Sequence, residues 1–371
     1  MRLIALALGV TVLGGAQAAA APPRPETVAT FAEAMPTGVT VSKAGRIFVN
    51  FPRWGDPVPF TVAEVVRGKA VPFPNQEINN PDEKDPARHF LSVQSVVVDG
   101  QDRLWALDTG SPQFRPTSPG GPKLVGIDLR TNKVFRTILF PPAVAQRSSY
   151  LNDVRFDLRR NRAYITDSAP AGPNGIVVVD LNTGESWRRL HNHPTTVAEP
   201  NFLPIVDGKP LMNRPSPGVA THMTVGSDGI AISPSGDRLY YTQLSGRSLY
   251  SVSTDALFDR RVSDAEVAAT VRNLGVKGMG DGLESDTRGR VYGADIERNA
   301  VIRRLPDGRL QTIAQGPEIS WADTLAISAD RYLYFTANQL HRQAGFQEGV
   351  DKRVKPYLLL RLKIDAAPAH P

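Results

Sequence analysis

At 371 residues, with 41% hydrophobic and 22% charged content, the chain has the composition of a globular protein long enough to bury a large core, which excludes a disordered or collagen-like chain. Its formal charge of +6 is carried by scattered Lys and Arg, with no basic run longer than pairs such as Arg159-Arg160 and Arg260-Arg261, so it reads as a solvated surface and not a nucleic-acid interface. Cysteine is absent, which excludes disulfides, thiol nucleophiles and thiolate metal sites.

The chain opens with Met1-Arg2, an apolar run from Leu3 to Leu13 and the small residues Gly14 to Ala18. A charged start, an apolar middle too short to span a bilayer and a small-residue end describe a secretory signal over residues 1–20, cut near Ala18 to Ala21. One domain then fills 21–371, expected to be a secreted or periplasmic monomer with no membrane attachment after cleavage.

Along that domain one pattern returns six times: a polar lead residue, a short apolar strand, a Gly- or Asp-containing turn, then Arg and a strand mixing aliphatic and aromatic residues. The copies run from Thr37-Gly38-Val39 to Arg46-Ile47-Phe48 and from Gln94-Ser95-Val96 to Arg103-Leu104-Trp105. They continue from Asn152-Asp153-Val154 to Arg162-Ala163-Tyr164, and from Asp228-Gly229-Ile230 to Arg238-Leu239-Tyr240. The last two run from Asp281-Gly282-Leu283 to Arg290-Val291-Tyr292 and from Asp323-Thr324-Leu325 to Arg331-Tyr332-Leu333. The spacing is close to the ~40–50 residues of one propeller blade plus its loops, and the longer gap between Asn152 and Asp228 predicts an insertion. Further alternating strands between the copies, such as Lys123 to Leu129, Val134 to Phe140 and Gly175 to Leu181, bring each unit to four strands. The prediction is an all-β, six-bladed β-propeller, and its 31 Gly and 31 Pro suit a fold with frequent turns. The sixth unit has a third strand, Tyr357 to Ile364, but no fourth, while Glu26 to Phe31 is a spare strand before the first unit. Pairing the two closes the ring and removes its exposed edges.

In a propeller the first strand of each blade lines the axis, so the six lead residues Thr37, Gln94, Asn152, Asp228, Asp281 and Asp323 converge on one channel mouth. Three carboxylates beside neutral oxygen donors would raise one another's pKa, and a hard divalent cation would relieve that: Ca2+ first, with Mg2+, Mn2+ or Zn2+ as alternatives. Asn152, Asp228 and Asp281 are the expected metal ligands, Asp323 and Asp281 the proton-transfer groups, and Thr37, Gln94 and Trp321 the contacts to a small-molecule ligand. The competing explanation is that Asp-Gly and Asn-Asp are turn formers that merely cap hairpins. Trp54, Trp105 and Trp187 read as packing residues. The histidines His191, His193 and His222 with Glu199 fall in the insertion without metal-ligand spacing, and Gly275 to Gly280 follows no βαβ strand that would make it a phosphate cradle.

Several of these stretches resemble the Yellow/major royal jelly protein family: Pro52-Arg53-Trp54, Tyr150-Leu151-Asn152-Asp153-Val154-Arg155-Phe156-Asp157, Ser186-Trp187-Arg188, Asp228-Gly229-Ile230-Ala231-Ile232-Ser233-Pro234 and Asn299-Ala300-Val301-Ile302-Arg303. The resemblance covers roughly residues 35–365 and implies a secreted six-bladed propeller with a small-molecule channel, for which isomerase-like and amine-binding roles are both proposed in the family. A more distant similarity, to gluconolactonase/regucalcin-like lactonases, implies a divalent metal held by a Glu, two Asn and an Asp. Asn152 matches one Asn and Asp281 the Asp, while Asp228 replaces the other Asn and Thr37 replaces the Glu. Two functions follow as expectations: a metal-dependent, lactonase-like hydrolase or a tautomerase-like isomerase, and a non-catalytic binder of an aromatic amine.

Overall fold

In a computed structural model that describes residues 22–370, the strands form six four-stranded antiparallel blades. The expected leader, residues 1–20, lies outside the described residues. The innermost strands are Val39–Val41, Val93–Val98, Leu151–Asp157, Ser227–Ile232, Leu283–Ser285 and Ala322–Ile327, in blades 1 to 6. Blade 6 is completed by Glu26–Phe31, which pairs antiparallel with Tyr357–Lys363 in the register Phe31 to Tyr357 and Glu26 to Arg361. An ion pair of 2.8 Å between Arg361 and Glu26 reinforces the seam. Closure thus follows the pairing expected from the spare strand.

Each part of the repeat has a packing reason. The aromatic of the second strand crosses to the next blade: Trp105 stacks on Phe156 at 5.2 Å, and Phe48 and Tyr164 enter apolar clusters with Val96 of blade 2 and Ile230 of blade 4. The turn residue before the repeated Arg holds the inner hairpin. In blade 5 one oxygen of Asp286 accepts from the backbone N–H groups of Arg288 and Arg290, and the other accepts from Arg290 Nε and, at 2.7 Å, Tyr292 Oη. Asp99 does the same work for Arg103 and Trp105 in blade 2. In blades 1, 4 and 6 a serine hydroxyl, from Ser42, Ser233 or Ser328, takes over with a single backbone acceptor role.

Two excursions leave this frame on the face where the lead residues lie. Residues 190–226, between blades 3 and 4, are the expected insertion and carry a small hairpin, Ile205–Val206 with Lys209–Pro210. Residues 338–356 separate the second and third strands of blade 6 and had no signal in the repeat pattern. The two are tied together by backbone hydrogen bonds from Arg214 N to Gly345 O and from Glu348 N to Arg214 O, both 2.7 Å. Two short helices in blade 4, Thr254–Phe258 and Asp264–Ala269, were also not expected; Ser253 and Ser263 cap them. At the opposite end of the channel, Ala369 N donates to Ser285 O at 3.0 Å and His370 Nε2 lies 2.7 Å from Ser233 O.

The turn ties yield a graded prediction. Asp286→Ala removes a fully buried acceptor of two side chains and should cost about 2–4 kcal/mol, whereas Ser328→Ala, at the equivalent point of blade 6, should cost about 1 kcal/mol. Equilibrium urea unfolding of the two variants checks the order; equal losses would show that the carboxylate tie has no special weight.

Candidate functional site at the upper mouth of the channel

The lead residues point into the channel because the ladder skips them. The register between first and second strands shifts between Val93 and Ser95, Leu151 and Val154, Ser227 and Ile230, and Ala322 and Leu325, so Gln94, Asn152, Asp228 and Asp323 sit in bulges. Asp281 lies two residues before its short strand, which starts at Leu283. Glycine following the lead is a matter of space: a Cβ on Gly229 would lie 2.1 Å from the Asp281 carbonyl oxygen, and one on Gly282 2.8 Å from that of Asp323. The Asp-Gly pairs are therefore close-approach points between neighbouring inner strands and not hairpin turns, which disposes of the turn-former explanation.

Gln94, Asn152, Asp228, Asp281 and Asp323 line one cavity of about 210 Å³. Asn152 Nδ2 donates to Asp228 Oδ1 at 2.5 Å, and Asp228 is hydrogen-bonded in turn to Asp281. Asp281 Oδ2 also accepts from Trp321 Nε1 at 2.9 Å, and Asp323 Oδ2 accepts from Asn338 Nδ2 at 2.7 Å. Burial, and then the charge of Asp281, push Asp228 and Asp323 well above the usual carboxylate range. Burial raises Asp281 as well, while hydrogen bonds from Asp228 and Trp321 and the charge of Lys277 oppose the rise. Burial that raises both acids favours a proton shared between Asp228 and Asp281. Lys277 is itself buried, with Nζ 3.1 Å from Gly278 O; burial lowers it to about 8 against the pull of Asp295, Asp281 and Asp228.

The other side of the cavity is aromatic. Trp54 Nε1 donates to Tyr150 Oη at 2.6 Å, and Tyr150 Oη donates to Gln94 Oε1 at 2.9 Å. Phe114 stacks on Trp54 at 5.5 Å and leans on Tyr150 at 4.9 Å. It is held there by left-handed backbone at both Gln113 (φ 56°) and Phe114 (φ 55°), a conformation unfavourable for side chains with a Cβ. Met223 from one excursion and Leu340, Gln343 and Phe346 from the other complete the wall.

Two expected contacts fall outside the cavity lining. Thr37 is fully buried with its hydroxyl accepting from Asn50 Nδ2 at 2.8 Å, so the place of the first lead is filled structurally. Trp321 is also fully buried; it does not floor the cavity but holds Asp281 from behind while stacking on His341. Conversely Trp54, read as a packing residue, lines the cavity. The histidines of the insertion have separate partners: His191 lies 3.2 Å from Arg188 Nε, His193 2.8 Å from Thr195 Oγ1 and His222 3.0 Å from Phe202 O. Sequence reasoning missed Tyr150, Phe114, Asn338 and Lys277. Tyr150 and Trp54 stood in the stretches that carried the family resemblance, and Lys277 in the glycine-rich run, but Phe114 lies in a loop without periodic signal.

For a resident cation the donor chemistry fits: Asn152, Asp228 and Asp281 offer oxygens to one cavity, as a hard divalent ion requires. Among the described residues, however, no three acidic or imidazole side chains converge as a ready ligand cluster, and Asn152 turns its amide nitrogen toward Asp228. A cation would have to displace the Asp228–Asp281 proton and rotate that amide.

Comparison with known proteins agrees with the fold and with the first resemblance. The family model described as major royal jelly protein matches residues 91–368. Major royal jelly protein 5 of Apis mellifera is 29% identical over 223 residues, covering 57% of this chain and 34% of the relative. Protein yellow of Drosophila pseudoobscura pseudoobscura is 29% identical over 168 residues, covering 42% and 29%. The alignments thus span about a third of the length of these curated relatives. Among solved structures, a gluconolactonase from Xanthomonas campestris superposes with a TM-score of 0.56 at 14% identity, over 94% of this chain and 96% of that one, a likeness of fold alone.

The acid cluster predicts a pH dependence. A carboxyl whose pKa is higher in the folded than in the unfolded state contributes stability that is complete below the unfolded value near ~4 and is lost as pH rises through the folded value. Asp228→Asn should therefore gain stability relative to the wild type as pH is raised above ~4, measured as a widening Tm gap between pH 4 and pH 8 with a chelator present. A gap that does not change with pH would contradict the buried neutral acid.

Proposed function

This chain belongs to the major royal jelly protein family, and on that premise we propose that its central cavity binds a small cyclic cation of the aromatic amine type, in an exported protein. The observation that carries this reading is the division of one cavity into two halves, aromatic at Trp54, Phe114 and Tyr150, and carboxylic at Asp228, Asp281 and Asp323. A ring against the aromatic half gains apolar burial and stacking, and its ammonium supplies the positive charge that would let the buried acids ionise. A cavity of about 150 Å³ accepts benzene, so about 210 Å³ suits one ring with a short amino side chain. The leader read at residues 1–20 supports export, and no helix among the described residues is long and apolar enough to cross a membrane.

The oxygen donors of Asn152, Asp228 and Asp281 favour a second reading, a hydrolase acting on a lactone. A divalent cation held by these three would supply Lewis acidity toward the ring carbonyl. The chain's own part would be proton transfer: a water adding to the carbonyl carbon would lose its proton to Asp281, and Asp323, kept protonated by burial and hydrogen-bonded by Asn338, would protonate the ring oxygen as the C–O bond breaks. Asp281 and Asp323 could equally serve a tautomerisation, one accepting a proton and the other returning it.

Isothermal titration with tyramine separates these readings. The binding reading expects a one-to-one complex weakened about tenfold or more in both Asp281→Asn and Trp54→Leu. No detectable complex at millimolar tyramine, with a stoichiometric Ca2+ and lactone turnover that both vanish in Asp281→Ala, would replace it by the hydrolase reading.

A further inference from the structure

A second recess, of about 500 Å³, lies between the small hairpin of the insertion and the 340–352 stretch of the blade 6 excursion. Its walls carry four permanent cations, Lys209, Arg214, Arg342 and Lys352, against two acids, Asp207 and Glu348. Asp207 is already committed. Its Oδ2 accepts from Arg342 Nη2 at 2.7 Å and lies 2.9 Å from His341 Nε2, and these contacts outweigh burial to bring its pKa down to about 2. Lys209 and Arg214 make no ion pair among the described residues, and Glu348 makes none either. Lys352 Nζ meets only the neutral Gln347 Oε1, at 3.1 Å.

Arg214 is the decisive residue. It is half-buried, its backbone is fixed by the hydrogen bonds to Gly345 and Glu348, and its guanidinium has only a 3.8 Å contact with Met212 Sδ. A partly exposed guanidinium on a fixed backbone, with no carboxylate in ion-pair distance among the described residues, keeps its donors free for an anion. His341, which lines the same recess, also has Nδ1 buried without a hydrogen-bond partner.

We propose that this recess is a binding site for a small oxyanion of at least two negative charges, inorganic phosphate or a phosphate ester, held by Arg214, Lys209 and Lys352 with Arg342 as a shared outer cation. Lys209 and Arg214 come from the insertion and Lys352 from the blade 6 excursion, so the anion bridges the two excursions that already meet through Arg214 and Gly345. The site takes a charge opposite to that of the central ligand and does not rest on the amine reading, although Phe346 lines both cavities.

The test is isothermal titration of inorganic phosphate, and separately of phenyl phosphate, into the wild type and into Lys209→Gln/Arg214→Gln at constant ionic strength. The expected result is saturable one-to-one phosphate binding that chloride does not reproduce, weakened about tenfold or more in the double variant. The double variant should keep the wild-type circular dichroism and its response to tyramine. Tighter binding of phenyl phosphate than of phosphate would identify an ester as the ligand, and equal binding the free ion. Phosphate heats that persist unchanged in the double variant, or that chloride matches at the same ionic strength, would overturn the proposal.

Discussion

Closing the ring is the constraint from which the rest of the molecule follows. Once Glu26–Phe31 pairs with Tyr357–Lys363, six inner strands must share one axis, and their starts come within the reach of single atoms. Only a hydrogen fits between Gly229 and the Asp281 carbonyl, and between Gly282 and that of Asp323, so the acidic side of the ring is packed as tightly as backbone allows. The lead carbonyls are then secured from neighbouring strands: Thr37 O accepts from Thr336 Oγ1 at 2.7 Å, Asp228 O from Thr166 Oγ1 at 2.5 Å and Asp323 O from Gly282 N at 3.0 Å. With their backbones fixed and bulged out of the ladder, the lead side chains have nowhere to go but the channel.

That rigidity has an electrostatic cost. Asp228, Asp281 and Asp323 are all buried, and among the described residues Lys277 is a buried cation near them whose own charge is weakened by the same burial. A site selected for stability alone would hold fewer acids or more counter-charge. Retaining these acids where the six blades meet is a local inconsistency with stability alone, and it is the feature on which the proposed binding site rests. It also accounts for the network around it, in which Asn152, Trp321 and Asn338 each hold one carboxyl in a fixed orientation.

The blades and their closure were legible in the sequence because each rests on a periodic requirement: alternating burial, an aromatic reaching the next blade, and a turn residue tying the inner hairpin. Five of the six lead residues line the cavity for the same reason. Thr37 does not, because periodicity reports position and says nothing of whether a side chain is already used, here by Asn50. Trp321 likewise lies outside the lining, and its nearness in sequence to Asp323 gave no sign that it faces Asp281. Phe114, Arg214, Leu340 and Phe346 lie in loops, where conformation is set by contacts distant in sequence, and the repeat carries no information about them.

These loop residues decide the chemistry that a repeated scaffold leaves open. The lead positions of blades 4, 5 and 6 are acidic, whereas those of blades 1 and 2 are Thr37 and Gln94. It is over this non-acidic side that Trp54, Phe114 and Tyr150 are placed, from loops of blades 1 and 2 and from the entry to blade 3. Had the aromatics covered the acids, a ligand would have found one mixed surface and many poses. Instead the aromatic residues gather beside Gln94 and the acids lie on the later blades, and under the proposed amine reading a molecule with a ring at one end and a cation at the other would satisfy both in one direction. On that reading the order of blades around the ring would set the orientation, and a different set of loops on the same six leads would set another.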